Sequence, residues 1–192
     1  MTEKEIFSLA SILLGFGAMV PYLVGIARRR VKPHMFSWFI WSVVCMTGGV
    51  AQLKNGGGPG SWLLIVNSIT NFMIAVLAFW WGTRDIKRVD GVVLVVALSA
   101  IPVWVVTENA LWAVLIAISI DTLAYAPTIR KSWRHPEQES LSSWAISTVV
   151  FMLSILGLQT YSLTTWLYPL TFAVINGGFA VFLIARRRQL GL

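Results

Sequence analysis

Apolar residues run through this chain in seven long blocks, separated by short polar or glycine-rich breaks. The blocks cover residues 6–27, 36–53, 60–82, 91–107, 110–129, 143–160 and 165–185. Apolar runs of this kind are long enough to cross a bilayer core of about 30 Å. The breaks read RRRVKPH, KNGGGPG, TRDIKRVD, TEN, RKSWRHPEQES and QTYSLTT, and the chain ends in ARRRQLGL. Backbone polar groups must be satisfied within each spanning segment, so the blocks are expected to be α-helices. The pattern predicts an all-α integral membrane protein of seven transmembrane helices.

Composition agrees. Of 192 residues, 57% are hydrophobic and only 12% charged, against about a quarter charged in soluble domains, which leaves no room for a soluble domain. The net charge of +7 would suggest nucleic acid in a soluble protein; here it has a different explanation. Thirteen basic residues lie in the breaks after the first, third and fifth blocks and in the tail: Arg28, Arg29, Arg30, Lys32, Arg84, Lys87, Arg88, Arg130, Lys131, Arg134, Arg186, Arg187 and Arg188. The other side holds only Lys4 and Lys54. Cytoplasmic loops collect Lys and Arg, so the N-terminus is expected outside and the C-terminus in the cytoplasm, in a plasma (inner) membrane. Glu3 and Glu5 around Lys4 differ from the basic start of a cleaved signal peptide, and the first block is read as a retained helix. Cys45, the one cysteine, excludes an internal disulfide.

The chain also matches itself. At an offset of 106, nine of the 29 positions from 18 to 46 are identical: Ala18/Ala124, Pro21/Pro127, Arg28/Arg134, Ser37/Ser143, Trp38/Trp144, Ile40/Ile146, Val43/Val149, Val44/Val150 and Met46/Met152. Apolar composition matches Val and Ile readily, but not Pro, Arg and Ser-Trp at one offset. A repeat is expected. Three helices return the chain on the opposite side, so a directly fused second copy would be inverted. A single linker helix restores the direction. The resulting 3+1+3 arrangement has a first triple-helix bundle at 1–83, a linker at 84–108 and a second bundle at 109–192, the two bundles parallel about an axis along the membrane normal.

These features resemble the SWEET and PQ-loop superfamily of seven-helix membrane transporters over the whole chain. Pro21 and Pro127 carry the resemblance, read as helix-ending prolines each followed by a basic loop, together with the serine-rich entries HMFSW and ESLSSW. The family's Pro-Gln pair is Pro21-Tyr22 and Pro127-Thr128 here, and Trp38 and Trp144 stand near where SWEETs tend to carry a second proline. The resemblance implies a sugar or similar metabolite as substrate. It also implies a central pocket faced by an asparagine from the third and seventh helices, and Asn71 and Asn176 are the matching positions.

Polar residues deep in a membrane mark pathways or sites by default. At 1.5 Å per residue from the basic boundary, Asn176 lies roughly 15 Å deep, Asn71 roughly 20 Å and Asp121 roughly 14 Å, all near the midplane. Asn67 is one turn from Asn71 on the same face. The amides suit sugar hydroxyls or an amino-acid carboxylate; alternatively they are interhelical glue worth about 1 kcal/mol or less. Asp121 is the only acidic residue at this depth, and its repeat counterpart is Gly15. It is either a proton-coupling carboxylate (or a partner for a cationic substrate group), or a structural Asp bonded to a neighbouring hydroxyl. Pro21 and Pro127 weaken their helices symmetrically and are candidate hinges, with Tyr22 and Tyr125 as gate aromatics; static kinks are the alternative. Trp38, Trp41 and Trp144 enter the second and sixth helices and are placed to line a path, Trp41 being assigned to the substrate site.

No enzymatic chemistry is expected. His34 and His135 have no set of metal-ligating neighbours at suitable spacing, and NGGGPG lacks the Lys and strand-to-helix context of a phosphate loop. No metal and no cofactor are expected. The partners are a small-molecule substrate and the lipid bilayer, without nucleic acid, and a homo-oligomer is compatible with the pattern. The expected function is alternating-access transport of a small polar solute. The alternatives are a proton-coupled amino-acid or vitamin carrier, and a non-transporting receptor or scaffold of the same fold.

Overall fold

The structure, a computed structural model, describes residues 1–29, 33, 35–82, 88–107, 109–134, 136–138 and 141–191. Their α-helices are α1 Glu3–Ala27, α2 Met35–Lys54, α3 Trp62–Trp81, α4 Arg88–Thr107, α5 Ala110–Arg134, α6 Leu141–Leu156 and α7 Leu163–Gln189. Short 3-10 turns at Gly58–Ser61 and Pro136–Gln138 precede α3 and α6, and no strand occurs among the described residues. His34 and His135 lie outside them, as do Arg30, Lys32, Arg84 and Lys87.

Local chemistry sets several ends. Thr2 and Glu5 cap α1 reciprocally: the Glu5 amide donates to Thr2 Oγ1 at 3.3 Å and the Thr2 amide donates to Glu5 Oε2 at 2.8 Å, which satisfies two otherwise unpaired donors. Helix α5 runs past the expected 129 to Arg134. Its added turn packs on α7, where the Arg186 guanidinium lies 4.7 Å from the Trp133 ring and Arg186 Nε donates to Trp133 O at 2.8 Å. Helix α6 stops at Leu156, short of the expected 160. A Cβ at the next residue, Gly157, would collide with Ser8 Oγ and press on Lys4 O at 3.2 Å and Gly60 Cα at 3.3 Å, so the chain turns at a close approach to α1 and the α2–α3 loop. Neither Pro21 nor Pro127 ends its helix, as the blocks 6–27 and 110–129 expected and contrary to the helix-ending role taken from the resemblance: α1 continues to Ala27 and α5 to Arg134. A proline removes one backbone donor, and the surrounding turns carry the helix through.

Among the described residues, four helices are long and apolar enough to cross a membrane: Glu3–Ala27, Met35–Lys54, Gly58–Trp81 and Leu163–Gln189. Ala110–Thr122 and Leu141–Leu156 are shorter apolar stretches. The side-chain distribution is inside-out. Leu13, Phe72, Met73, Val174 and Val181 face outward, each about half exposed or more, whereas Ser11, Gln52, Ser68, Asn71, Asp121 and Asn176 are buried. Water would reverse that arrangement, and a hydrocarbon surround favours it. The fold is compatible with an integral membrane protein.

Helix α3 packs on α2 and α1, and α7 packs on α6 and α5. Helix α1 also packs on α6, and α5 packs on α2. The remaining helix, α4, lies against α5 and α2. One apolar cluster, with Val44, Leu64, Val114, Ile120, Tyr168 and Phe172, joins α2, α3, α5 and α7. A second, with Ile26, Trp38, Ile74 and Ala75, lies among α1, α2 and α3.

At the end away from the arginines, the α2–α3 and α6–α7 loops meet. The Gln159 amide donates to Gly57 O at 3.0 Å and the Thr160 amide to Gly56 O at 3.1 Å. Ser154 Oγ donates to Gly60 O at 3.0 Å, and Gln52 Nε2 donates to Thr165 O at 2.6 Å. Gly56 and Gly58 adopt φ of 79° and 58°, a region that costs other residues roughly 1–2 kcal/mol. Lys4 adds a bond from α1, its Nζ lying 3.2 Å from Tyr161 Oη and 5.0 Å from the ring centre. This end is closed by backbone pairing between the two halves of the chain.

Candidate functional site

Four helices contribute polar side chains to one buried cluster. Helix spacing puts Asp121 and Tyr125 on one face of α5, and Tyr168, Phe172 and Asn176 on one face of α7. From α3 comes Asn71, and from α2 comes Cys45. Asn71 Nδ2 donates to Cys45 Sγ at 3.8 Å. Cys45 Sγ lies 3.9 Å from Tyr168 Oη. Tyr168 Oη donates in turn to Asp121 Oδ2 in a very short bond. The second Asp121 oxygen, Oδ1, is buried without a hydrogen-bond partner among the described residues. A buried polar atom left unpaired costs about 1–3 kcal/mol, and native structures rarely keep one without a use.

Asn176 stands beside this chain. Its Oδ1 accepts from Tyr125 Oη at 3.0 Å and its Nδ2 donates to Phe172 O at 2.6 Å. Aromatic rings wall the region: Tyr168 and Phe172 centres lie 4.6 Å apart, Phe151 and Phe172 5.8 Å, and Tyr125 and Trp144 5.5 Å. On the α1–α2 side, Tyr22 and Trp38 rings stand 5.0 Å apart and Trp38 Nε1 donates to Tyr22 Oη at 3.2 Å. Each expected gate tyrosine therefore packs against the entry tryptophan of its own triplet of helices. Trp41 packs edge-on to Trp38 at 5.1 Å, and Asn67 is half-buried on α3; no hydrogen bond or ring contact among the described residues joins either to the Asp121 cluster.

The structure thus brings Asn71 and Asp121 into one chain of contacts, with Asn176 and Tyr125 paired nearby. Cys45 and Tyr168, which join the first three helices to the last three, were not singled out as site residues from the sequence. A signal for Tyr168 exists: it lies eight residues, two turns, before Asn176 on the same face. Cys45 carries none beyond being a lone thiol in an apolar run. A weaker polar pair, Ser42 with Ser68, ties α2 to α3, with Ser68 Oγ donating to Ser42 O at 2.7 Å. Among the described residues no group of three His, Cys, Asp or Glu side chains is placed to hold a metal ion. Chemically, the cluster can hold a polar ligand by amide and hydroxyl groups and can hold a proton on a carboxyl. No family model, curated protein or solved structure matches this chain.

Proposed function

We propose that this protein is a membrane transporter of a small polar solute, of the seven-helix 3+1+3 architecture. The solute, a sugar or similar metabolite, binds between the two triple-helix bundles near Asn71 and Asn176, and the bundles rock for alternating access. The observation that carries the reading is the buried polar chain from Asn71 to Asp121, lying where the two repeats meet. Apolar packing alone would join the bundles at lower cost, because each buried polar group needs a partner. The repeat-related contacts support the two-bundle division, with α1 on α6 answering α5 on α2. The test is a thermal-shift screen of purified protein against sugars, amino acids and vitamins, followed by uptake of each hit into proteoliposomes. Transport predicts at least one ligand that both stabilises the protein and accumulates. Stabilisation without uptake would favour a receptor or scaffold.

Orientation follows from charge. The arginine-rich end is cytoplasmic and the paired-loop end faces outside, in the plasma (inner) membrane. Cysteines placed at Lys54 and Arg134 should react with membrane-impermeant reagents from opposite sides of intact cells. Reaction of both from one side would overturn the topology.

A second reading has its own support. Asp121 sits in the cluster with one oxygen unpaired, and a proton is the smallest occupant that answers this. Proton-coupled transport of an amino acid or a vitamin is the form that reading takes.

A further inference from the structure

The chain Asn71–Cys45–Tyr168–Asp121 crosses between the halves of the molecule at one step, the contact of Cys45 Sγ on α2 with Tyr168 Oη on α7. A hydroxyl has one hydrogen to give. With Asp121 ionised, that hydrogen is committed to Asp121 Oδ2 on α5, within the second half. The Cys45 contact then runs only from the thiol S–H to the Tyr168 oxygen. With Asp121 protonated, the carboxyl O–H can donate to Tyr168, whose own hydrogen turns to the Cys45 sulfur. No bond between heavy atoms changes: one proton arrives from water, the Tyr168 O–H swings to the sulfur, and the Cys45 S–H swings off the Tyr168 oxygen.

We infer that Tyr168 and Cys45 are positioning residues that carry the protonation state of Asp121 across the bundle interface to Asn71. The inference rests on the proton-coupled reading and adds the route by which the proton is felt. Protonation moves the Tyr168 hydrogen from a partner in its own half to one in the other half. Asn71 Nδ2 then shares the sulfur with Tyr168 instead of having it alone, so its hold on the sulfur weakens at the candidate solute site. The surroundings leave this chain isolated. Tyr168 from α7, Cys45 from α2 and Tyr125 one turn along α5 are the titratable groups facing Asp121 among the described side chains. The stretch of α4 from 91 to 107 contains no ionisable residue, so the linker offers no competing charge there.

The experiment measures energy transfer between fluorophores placed through unnatural amino acids at Arg29 and Arg134. Both are exposed at the arginine-rich end, one in each half. The protein is held in lipid nanodiscs and titrated from mildly acidic to mildly basic pH. The parent protein should show a pH-dependent separation. Asp121→Asn, Tyr168→Phe and Cys45→Ala should each lose it, whereas Cys45→Ser, whose hydroxyl still donates and accepts, should retain it. A packing role alone predicts that the Ala and Ser variants behave alike. A response kept by Tyr168→Phe and Cys45→Ala but lost in Asp121→Asn overturns the relay and leaves proton coupling standing. A response kept by Asp121→Asn, or absent from the parent, overturns both. Should Tyr168→Phe fail to fold, the contrast between Cys45→Ala and Cys45→Ser decides the matter alone.

Discussion

A disulfide between positions 56 and 160 is expected to stop transport completely while leaving solute binding in place. These positions lie in the α2–α3 and α6–α7 loops, where the Thr160 amide donates to Gly56 O at 3.1 Å. A Cβ built on Gly56 falls 3.4 Å from Thr160 Cβ, close to the roughly 3.5–4.5 Å that a disulfide requires. If the bundles rock to open a path outward, this end must part. The Gly57–Gln159, Ser154–Gly60 and Gln52–Thr165 bonds must then break together. Each contributes about 1 kcal/mol net, a sum that thermal motion and solute binding can offset. A covalent bond cannot be offset in this way. The double variant Gly56→Cys, Thr160→Cys should therefore lose uptake under oxidising conditions and regain it with reductant. The thermal shift produced by solute should persist in both states. Gly56→Cys alone carries the strain of φ 79° and serves as the control for it. A cross-linked protein transporting at the normal rate would sink the alternating-access reading at this end.

The second large effect concerns the two amides, which should separate in a way their symmetry does not suggest. Asn71→Ala and Asn176→Ala should each weaken solute binding by about five- to 150-fold, the equivalent of roughly 1–3 kcal/mol. Their stabilities should differ. Asn71 gives up one N–H···S contact of 3.8 Å, so its loss should cost less than about 1 kcal/mol. Asn176→Ala strands the half-buried Tyr125 hydroxyl, which donates to it at 3.0 Å, and leaves that donor unpaired. That variant should unfold more easily by roughly 1–3 kcal/mol, a loss that Tyr125→Phe in the same chain should partly restore. Binding isotherms and thermal melts on the same preparations check both statements. A double Ala variant that transports normally would remove the amides from the site, and melting without loss of affinity would make them interhelical glue.

Much of the architecture was legible one residue at a time. The seven apolar blocks each overlap a helix, and among the described residues four of these helices are long and apolar enough to cross a membrane, because hydropathy and length are local properties. Asn71, Asp121 and Asn176 stood out as polar residues inside apolar blocks, and all three are buried. Helix ends were less legible. Helix α5 reaches Arg134 because its last turn packs on α7 through Trp133 and Arg186, and α6 stops at Leu156 because the chain at Gly157 passes against Lys4 and Gly60. Those causes lie more than fifty residues away in sequence. Prolines at 21 and 127 mark weakened turns but do not by themselves decide whether a helix ends, since neighbouring turns settle that. What only the tertiary structure decided is which side chains meet. The azimuth of each helix about its own axis, set by packing against several neighbours at once, turns Cys45 toward Tyr168 and Tyr168 toward Asp121. It also leaves Trp41 against Trp38, away from the polar cluster. Loop pairing at Gly56, Gly57, Gln159 and Thr160 is made by backbone atoms, which every residue type carries alike, so no side-chain pattern announces it. Depth is a property of one helix and is written along it; contact is a property of pairs and is written only in their packing.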